Sequence, residues 1–172
     1  MIDTVAYDPR VSGGTGPRRN PREAGIGILA ARLLFAVQDE LYERLEEAGH
    51  RELTRLHGAV IAHLDDDGTR ATELARRSGR HKQVIGRIVD ELEALGYVER
   101  QPEQEDRRAK LVVPTERGRQ VMRLSDEIIA DIERAQAEAL GKAAYREFKQ
   151  GLQAVVESLT QRPDVPEPDM DR

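Results

Sequence analysis

Between Lys82 and Leu95 the chain reads KQVIGRIVDELEAL, and the side chains able to do chemistry fall on one side of it. At helical periodicity Ile85, Ile88, Val89 and Leu92 share one face, while Lys82, Gln83, Gly86, Arg87 and Asp90 occupy the opposite one. A glutamine amide matches the hydrogen-bonding edge of adenine and a guanidinium that of guanine, so Gln83 and Arg87 are candidates for reading bases. Lys82 is a candidate phosphate contact, and Arg80 stands at the entry to the same helix. A polar helix face alone is as well explained by solvation. A second cationic group tips the balance: Asp106, Arg107, Arg108 and Lys110 follow between two strand-like runs, where long cations at a hairpin tip can enter a narrow minor groove.

The elements that must position these groups run from Thr69 to Gly118. A short strand at Thr69–Ala71 precedes an amphipathic helix over Glu73–Gly79 (ELARRSG), and the Lys82–Leu95 helix follows after a tight turn. Gly96 stops that helix where a left-handed cap is needed. YVERQ (Tyr97–Gln101) and KLVVP (Lys110–Pro114) then have strand content on either side of EQEDRR. The pattern is a helix-turn-helix followed by a basic wing. The basic residues from Arg76 to Arg87, namely Arg76, Arg77, Arg80, Lys82 and Arg87, have no acid among them, so a positive region exists despite a net charge of −5.

The run GYVERQPEQEDRRAKLVVPTERG resembles the wing of the MarR family of winged-helix transcription regulators. The glycine stop, Asp106-Arg107-Arg108 and Thr115-x-x-Gly118 stand in order at that family's spacing, downstream of an ELA-type helix, and the similarity extends over roughly residues 24–159. The resemblance implies that Asp106 orients the arginine, that Arg108 is the residue inserted into the minor groove, and that Arg107 and Lys110 lie nearer phosphate. It also implies a dimer built from both ends of the chain, and a ligand crevice between the dimer helices and the DNA-binding lobe. Tyr42 and His57 are the polar residues on helices bordering that crevice. The chain departs from the family where Arg80 and His81 replace an apolar residue and a serine cap, and where Val84 and Gly86 replace hydroxyl residues. Fold carries over; operator sequence does not.

The implied fold class is mainly α with a small β-wing, a winged helix-turn-helix (about 52–114) flanked by dimerisation helices (about 24–49 and 115–159). Residues 1–23, rich in glycine and proline, read as a disordered arm, and 160–172 as a disordered acidic tail. The first helix, Ile26–Ala48, carries two apolar stripes: Ala30, Leu34, Val37, Leu41, Leu45 and Ala48, and Ile28, Ala31, Phe35 and Tyr42. The second stripe is more than one thin core can cover. A second helix is expected from Thr54, as N-cap, to Leu64. Thr115 should cap a long helix carrying Val121, Ser125, Ile128, Ile132, Ala135 and Ala139, which Gly141 interrupts. A last helix, Lys142–Leu159, carries Phe148, Leu152, Val155 and Leu159.

Other chemistries find little support. With only 3% aromatic and 34% charged residues a monomer would bury a thin core, so homodimerisation is expected. The chain has no cysteine, which excludes disulfides, thiolate metal sites and thiol-based sensing. His50, His57, His63 and His81 form no metal-binding pair. Asp65-Asp66-Asp67-Gly68 fails as a calcium loop, because His63 and Leu74 would stand at the first and twelfth positions. No nucleophile elbow or phosphate-cradling glycine loop is present, so neither catalysis nor a cofactor is expected. No apolar run is long enough for a membrane span, and a cytoplasmic protein is expected. The composite expectation is a homodimeric repressor that binds near-palindromic double-stranded DNA and releases it to a small-molecule effector. A winged-helix protein-interaction module would lose the basic tip, and a DNA-binding regulator without ligand response remains compatible.

Overall fold

A computed structural model describes residues 24–103 and 110–160. The arm, the tail beyond Thr160, which itself ends the last helix, and the expected wing-tip residues Asp106, Arg107 and Arg108 lie outside the described residues. Six helices and three strands follow in the order α1 (Ile26–Glu47), α2 (Gly58–Ile61), β1 (Thr69–Arg70), α3 (Ala71–Ser78), α4 (Lys82–Ala94), β2 (Val98–Pro102), β3 (Lys110–Pro114), α5 (Glu116–Leu140) and α6 (Lys142–Thr160) among the described residues. The chain divides into two units at Phe35–Ala36, inside α1. In the first, Ile26, Ile28, Leu29, Leu33 and Leu34 are exposed.

The second unit holds the core. Ile85, Ile88, Val89 and Leu92 of α4 are fully buried, as the helical periodicity requires, together with Leu74 of α3, Val60, Tyr97, Val112 and Val121. Leu45 of α1 joins this core, and Val37, Leu41 and Tyr42 pack against it. β3 is the central strand of an antiparallel sheet ordered β1-β3-β2, with Thr69 opposite Val112 and Val98 opposite Pro114. The alternation along β3 puts Val112 and Pro114 inward; Lys110, on the same face at the start of the strand, is exposed.

The end of α4 fixes where the wing begins. Gly96 takes φ 76°, its N–H donates to the Glu93 carbonyl at 3.0 Å, and the Tyr97 N–H donates to Leu92 at 2.9 Å. These are the two bonds of a Schellman cap, and Leu92 and Tyr97 supply its apolar contact. Tyr97 is thereby spent on the cap, so β2 starts at Val98, one residue later than its strand propensity suggests. Thr115 then accepts the Gly118 N–H at 3.1 Å, donates to the Gly96 carbonyl at 2.7 Å, and starts α5. Gly118 is needed for close approach: a Cβ there would lie 2.0 Å from the Tyr97 carbonyl oxygen. The Thr-x-x-Gly motif therefore docks α5 onto the α4–β2 junction.

The second helix is shorter than Thr54–Leu64. Residues 54–63 close several turns by i to i+3 bonds, from His57 to Thr54, Ala59 to Leu56 and His63 to Val60, and only Gly58–Ile61 is α-helical. Thr54 is not the expected cap. Its backbone N–H instead donates to His57 Nδ1 at 3.1 Å, half of a capping box with histidine in the usual Glu/Gln position. Gly58, which costs about 1 kcal/mol relative to alanine inside a helix, adds to the weakness of this turn.

Candidate nucleic-acid interface

The buried face of α4 holds the opposite face outward. Arg80, Lys82, Gln83 and Arg87 are exposed, Gln83 and Arg87 sit one turn apart, and Gly86 between them leaves open space where a Cβ would stand. His81, the N-cap, makes no side-chain cap bond, as expected where the usual serine is missing. The start of α4 thus combines uncapped amides with Lys82, a combination that favours anions.

Ion pairing sorts the cations. Arg76 donates to Glu73 at 2.6 and 2.8 Å, and Arg77 bridges Glu73 at 2.8 Å and Asp65 at 2.9 Å. These two arginines, counted in the positive region from sequence, are therefore largely neutralised. Arg80, Lys82 and Arg87 make no ion pair among the described residues. The Arg76 and Arg77 guanidiniums pull the Glu73 carboxyl down to about 2, and Arg77 with Thr69 holds Asp65 below the usual carboxylate range. The Asp65–Gly68 turn is thus an arginine-braced turn, with the Gly68 N–H bonded to the Asp65 carbonyl at 3.0 Å.

Two further polar clusters hold the interface in place, and neither was singled out from sequence. Arg100 of β2 reaches back to α4, donating to Asp90 at 2.6 Å and pairing with Glu93, so the wing strand is fastened to the helix carrying Gln83 and Arg87. The second cluster surrounds Tyr97, whose hydroxyl donates to Glu52 at 2.8 Å and lies 2.9 Å from His50 Nδ1. Arg117 lies 4.3 Å from the Tyr97 ring centroid, pairs with Glu52, and donates to the Leu95 carbonyl at 2.8 Å. Burial, and then the Glu52 bond, raise the Tyr97 phenol above its ordinary value. The i, i+3 and i, i+4 spacing of Glu73 with Arg76 and Arg77 was a readable signal. The Tyr97 cluster, assembled across long sequence separations, had none.

Tyr42 and His57 separate. Tyr42 lines a cavity of about 370 Å³ with Leu41, Leu45, Leu53, Ile61, Met122 and others, and its hydroxyl lies 2.7 Å from where a Gly58 Cβ would stand. Burial raises its phenol above the ordinary range. His57 is buried elsewhere: Nδ1 accepts from the Thr54 N–H, Nε2 lies 3.3 Å from Glu91 on α4, and it is not among the cavity-lining residues. With both ring nitrogens engaged, His57 fastens the second helical turn to α4. Among the described residues no group of carboxylates and histidines could hold a metal ion, and no helix is long and apolar enough to cross a membrane.

A two-helix unit presenting a cationic face, closed by an antiparallel wing and flanked by long helices, defines a winged helix-turn-helix of the DNA-binding class. The MarR family model matches residues 52–109, the region from the Tyr97 cluster through the wing tip. That stretch matches the family model, and the helices around it complete the winged-helix fold of the solved structures that the chain resembles. The transcriptional regulator PA3341 is 28% identical over 80% of this chain and 100% of its own, with a TM-score of 0.66. CouR from Rhodococcus jostii RHA1, bound to p-coumaroyl-CoA, is 26% identical over 81% of this chain and 94% of its own, with a TM-score of 0.61. CouR bound to a 23-mer DNA duplex superimposes with a TM-score of 0.62 at 22% identity, covering 80% of this chain and 93% of that one. No curated protein sequence matches the chain.

Proposed function

We propose that the protein is a homodimeric repressor that binds a near-palindromic DNA operator and releases it when a small molecule binds. The observation that carries the DNA reading is the two-sided α4: a wholly buried Ile85/Ile88/Val89/Leu92 face turns Lys82, Gln83 and Arg87 outward, with no acid paired to either cation among the described residues. Gln83 and Arg87 read base edges in the major groove; Arg80 and Lys82 contact phosphate. In the wing, Lys110 contacts phosphate beside Arg107, Asp106 orients the arginine, and Arg108 enters the minor groove. Exposed Leu29, Leu33 and Leu34 of α1, and Phe148, Val155, Val156 and Leu159 of α6, are the surfaces that a second copy covers.

The ligand reading is supported by the cavity that Tyr42 lines, and by a similar protein, CouR, seen bound to p-coumaroyl-CoA in one structure and to a DNA duplex in another. A ligand acts by favouring one spacing of the two recognition helices over another. The test is fluorescence anisotropy of the protein on its own upstream DNA against random duplex, across a salt series. A specific site should bind at least about 10³-fold more tightly than random DNA, with affinity falling as salt rises. Equal affinity for both duplexes would remove the operator from the proposal.

A further inference from the structure

The charge inventory of the cavity goes beyond the presence of a ligand to its chemistry. Its walls are Leu41, Leu45, Leu53, Ile61, Met122 and Ile129, contributed by α1, the residues around α2, and α5. Its polar groups are the Tyr42 hydroxyl, Ser125 and the carboxylate of Asp126. Among the described residues no lysine, arginine or histidine lines it, and Asp126 has no ion-pair partner. Ser125 is half-buried and Asp126 exposed, so the carboxylate sits at the cavity's solvent edge.

This inventory is one-sided. An anionic ligand would exchange water for hydrocarbon with no cation to meet it, and would approach Asp126 with a like charge. A cation held at the edge keeps part of its hydration, meets a carboxylate with no competing partner, and leaves its apolar body to the leucine, isoleucine and methionine walls. Met122 can adapt to the shape of that body, and the phenol of Tyr42, kept protonated by burial, supplies no negative charge. The volume, about 370 Å³, suits one fused or linked pair of rings.

Resting on the reading of this cavity as the effector site, we infer that it selects organic cations with a compact apolar body, Asp126 pairing with the cationic head. The selection is against aromatic carboxylates and other anions of the same size.

Three probes sharing one naphthylmethyl body test this: (2-naphthylmethyl)trimethylammonium, its neutral carbon isostere 2-neopentylnaphthalene, and 2-naphthylacetate, each titrated against the full chain by naphthalene fluorescence. The cation should bind at least tenfold more tightly than the acetate. Asp126→Asn, an isosteric change at an exposed position, should weaken the cation about tenfold and the neutral isostere less than twofold. Ala62→Trp, on the exposed part of the lining, should abolish binding of the cation and of the isostere while the thermal transition persists. Acetate binding equal to the cation's, an Asp126→Asn variant that retains full cation affinity, or no binding of any probe would overturn the inference. Operator release is measured separately by anisotropy. Cation binding in the cavity that leaves DNA affinity unchanged would overturn the effector reading and spare the charge preference, whereas release by the acetate alone would do the reverse.

Discussion

At the scale of single residues, the proposed DNA face and the cluster that braces it differ in how they can be read. Gln83 and Arg87 are legible because helical periodicity alone puts them opposite a buried face, and no distant contact has to be known. Tyr97, by contrast, meets Glu52 and His50 across 45 and 47 residues of chain, and no local pattern marks such a meeting. His57 misleads for the same reason, since its partner Glu91 lies 34 residues on. The face assignments separate by experiment. Arg87→Ala should relax preference at one position of each half-site, whereas Lys82→Ala should weaken all sequences alike and reduce the salt slope by about 1 per site. Binding-site selection and salt titrations check this, and equal weakening on all DNA by both variants would make Arg87 a phosphate contact. Arg108→Ala should cost on the order of 1–3 kcal/mol of operator binding with folding intact, as judged by circular dichroism.

At the scale of elements, two joints between separate parts of the chain are of different kinds. Thr115 and Gly118 were visible as a motif, but the reason for the glycine, the Tyr97 carbonyl packed where a Cβ would be, needed three dimensions. Gly118→Ala should therefore destabilise the protein by about 3 kcal/mol, through overpacking against backbone that cannot yield, and urea denaturation measures it. The turn before β1 is held to α3 by Asp65, Arg77 and Glu73. Glu73 and Asp65 both have depressed folded values, so their contribution is present above the ordinary carboxylate range and is lost as pH falls toward about 2. Thermal melts from pH 6 to pH 2 should show that loss, and Glu73→Gln should flatten it. A Glu73→Gln profile identical in slope to that of the parent would assign the acid sensitivity elsewhere. The failed expectation of a full helix from Thr54 has a local origin, because a capping residue does not specify whether i+3 or i+4 bonds follow it.

At the scale of the whole molecule, a thin core and exposed apolar residues on α1 and α6 should produce a two-fold dimer, and its operator should have half-site centres roughly 10 bp apart. Sedimentation velocity checks the first and footprinting the second; a monomer at working concentration would end the dimer argument. Peroxide should not release DNA through thiol chemistry, since the chain has no cysteine. The buried phenol at the α4–β2–α5 junction has an optical consequence as well. The chain holds four tyrosines and no tryptophan, so its near-ultraviolet spectrum is a tyrosine spectrum. Burial raises both Tyr97 and Tyr42, and a phenol favoured in its neutral form when folded stabilises the fold until pH rises through its native value. Phenolate absorbance should accordingly appear in two stages on alkaline titration, the later one coinciding with loss of helical circular dichroism. Tyr97→Phe should shrink that later stage, so the native phenol makes the joint between α4 and the wing a built-in absorbance reporter of its own opening.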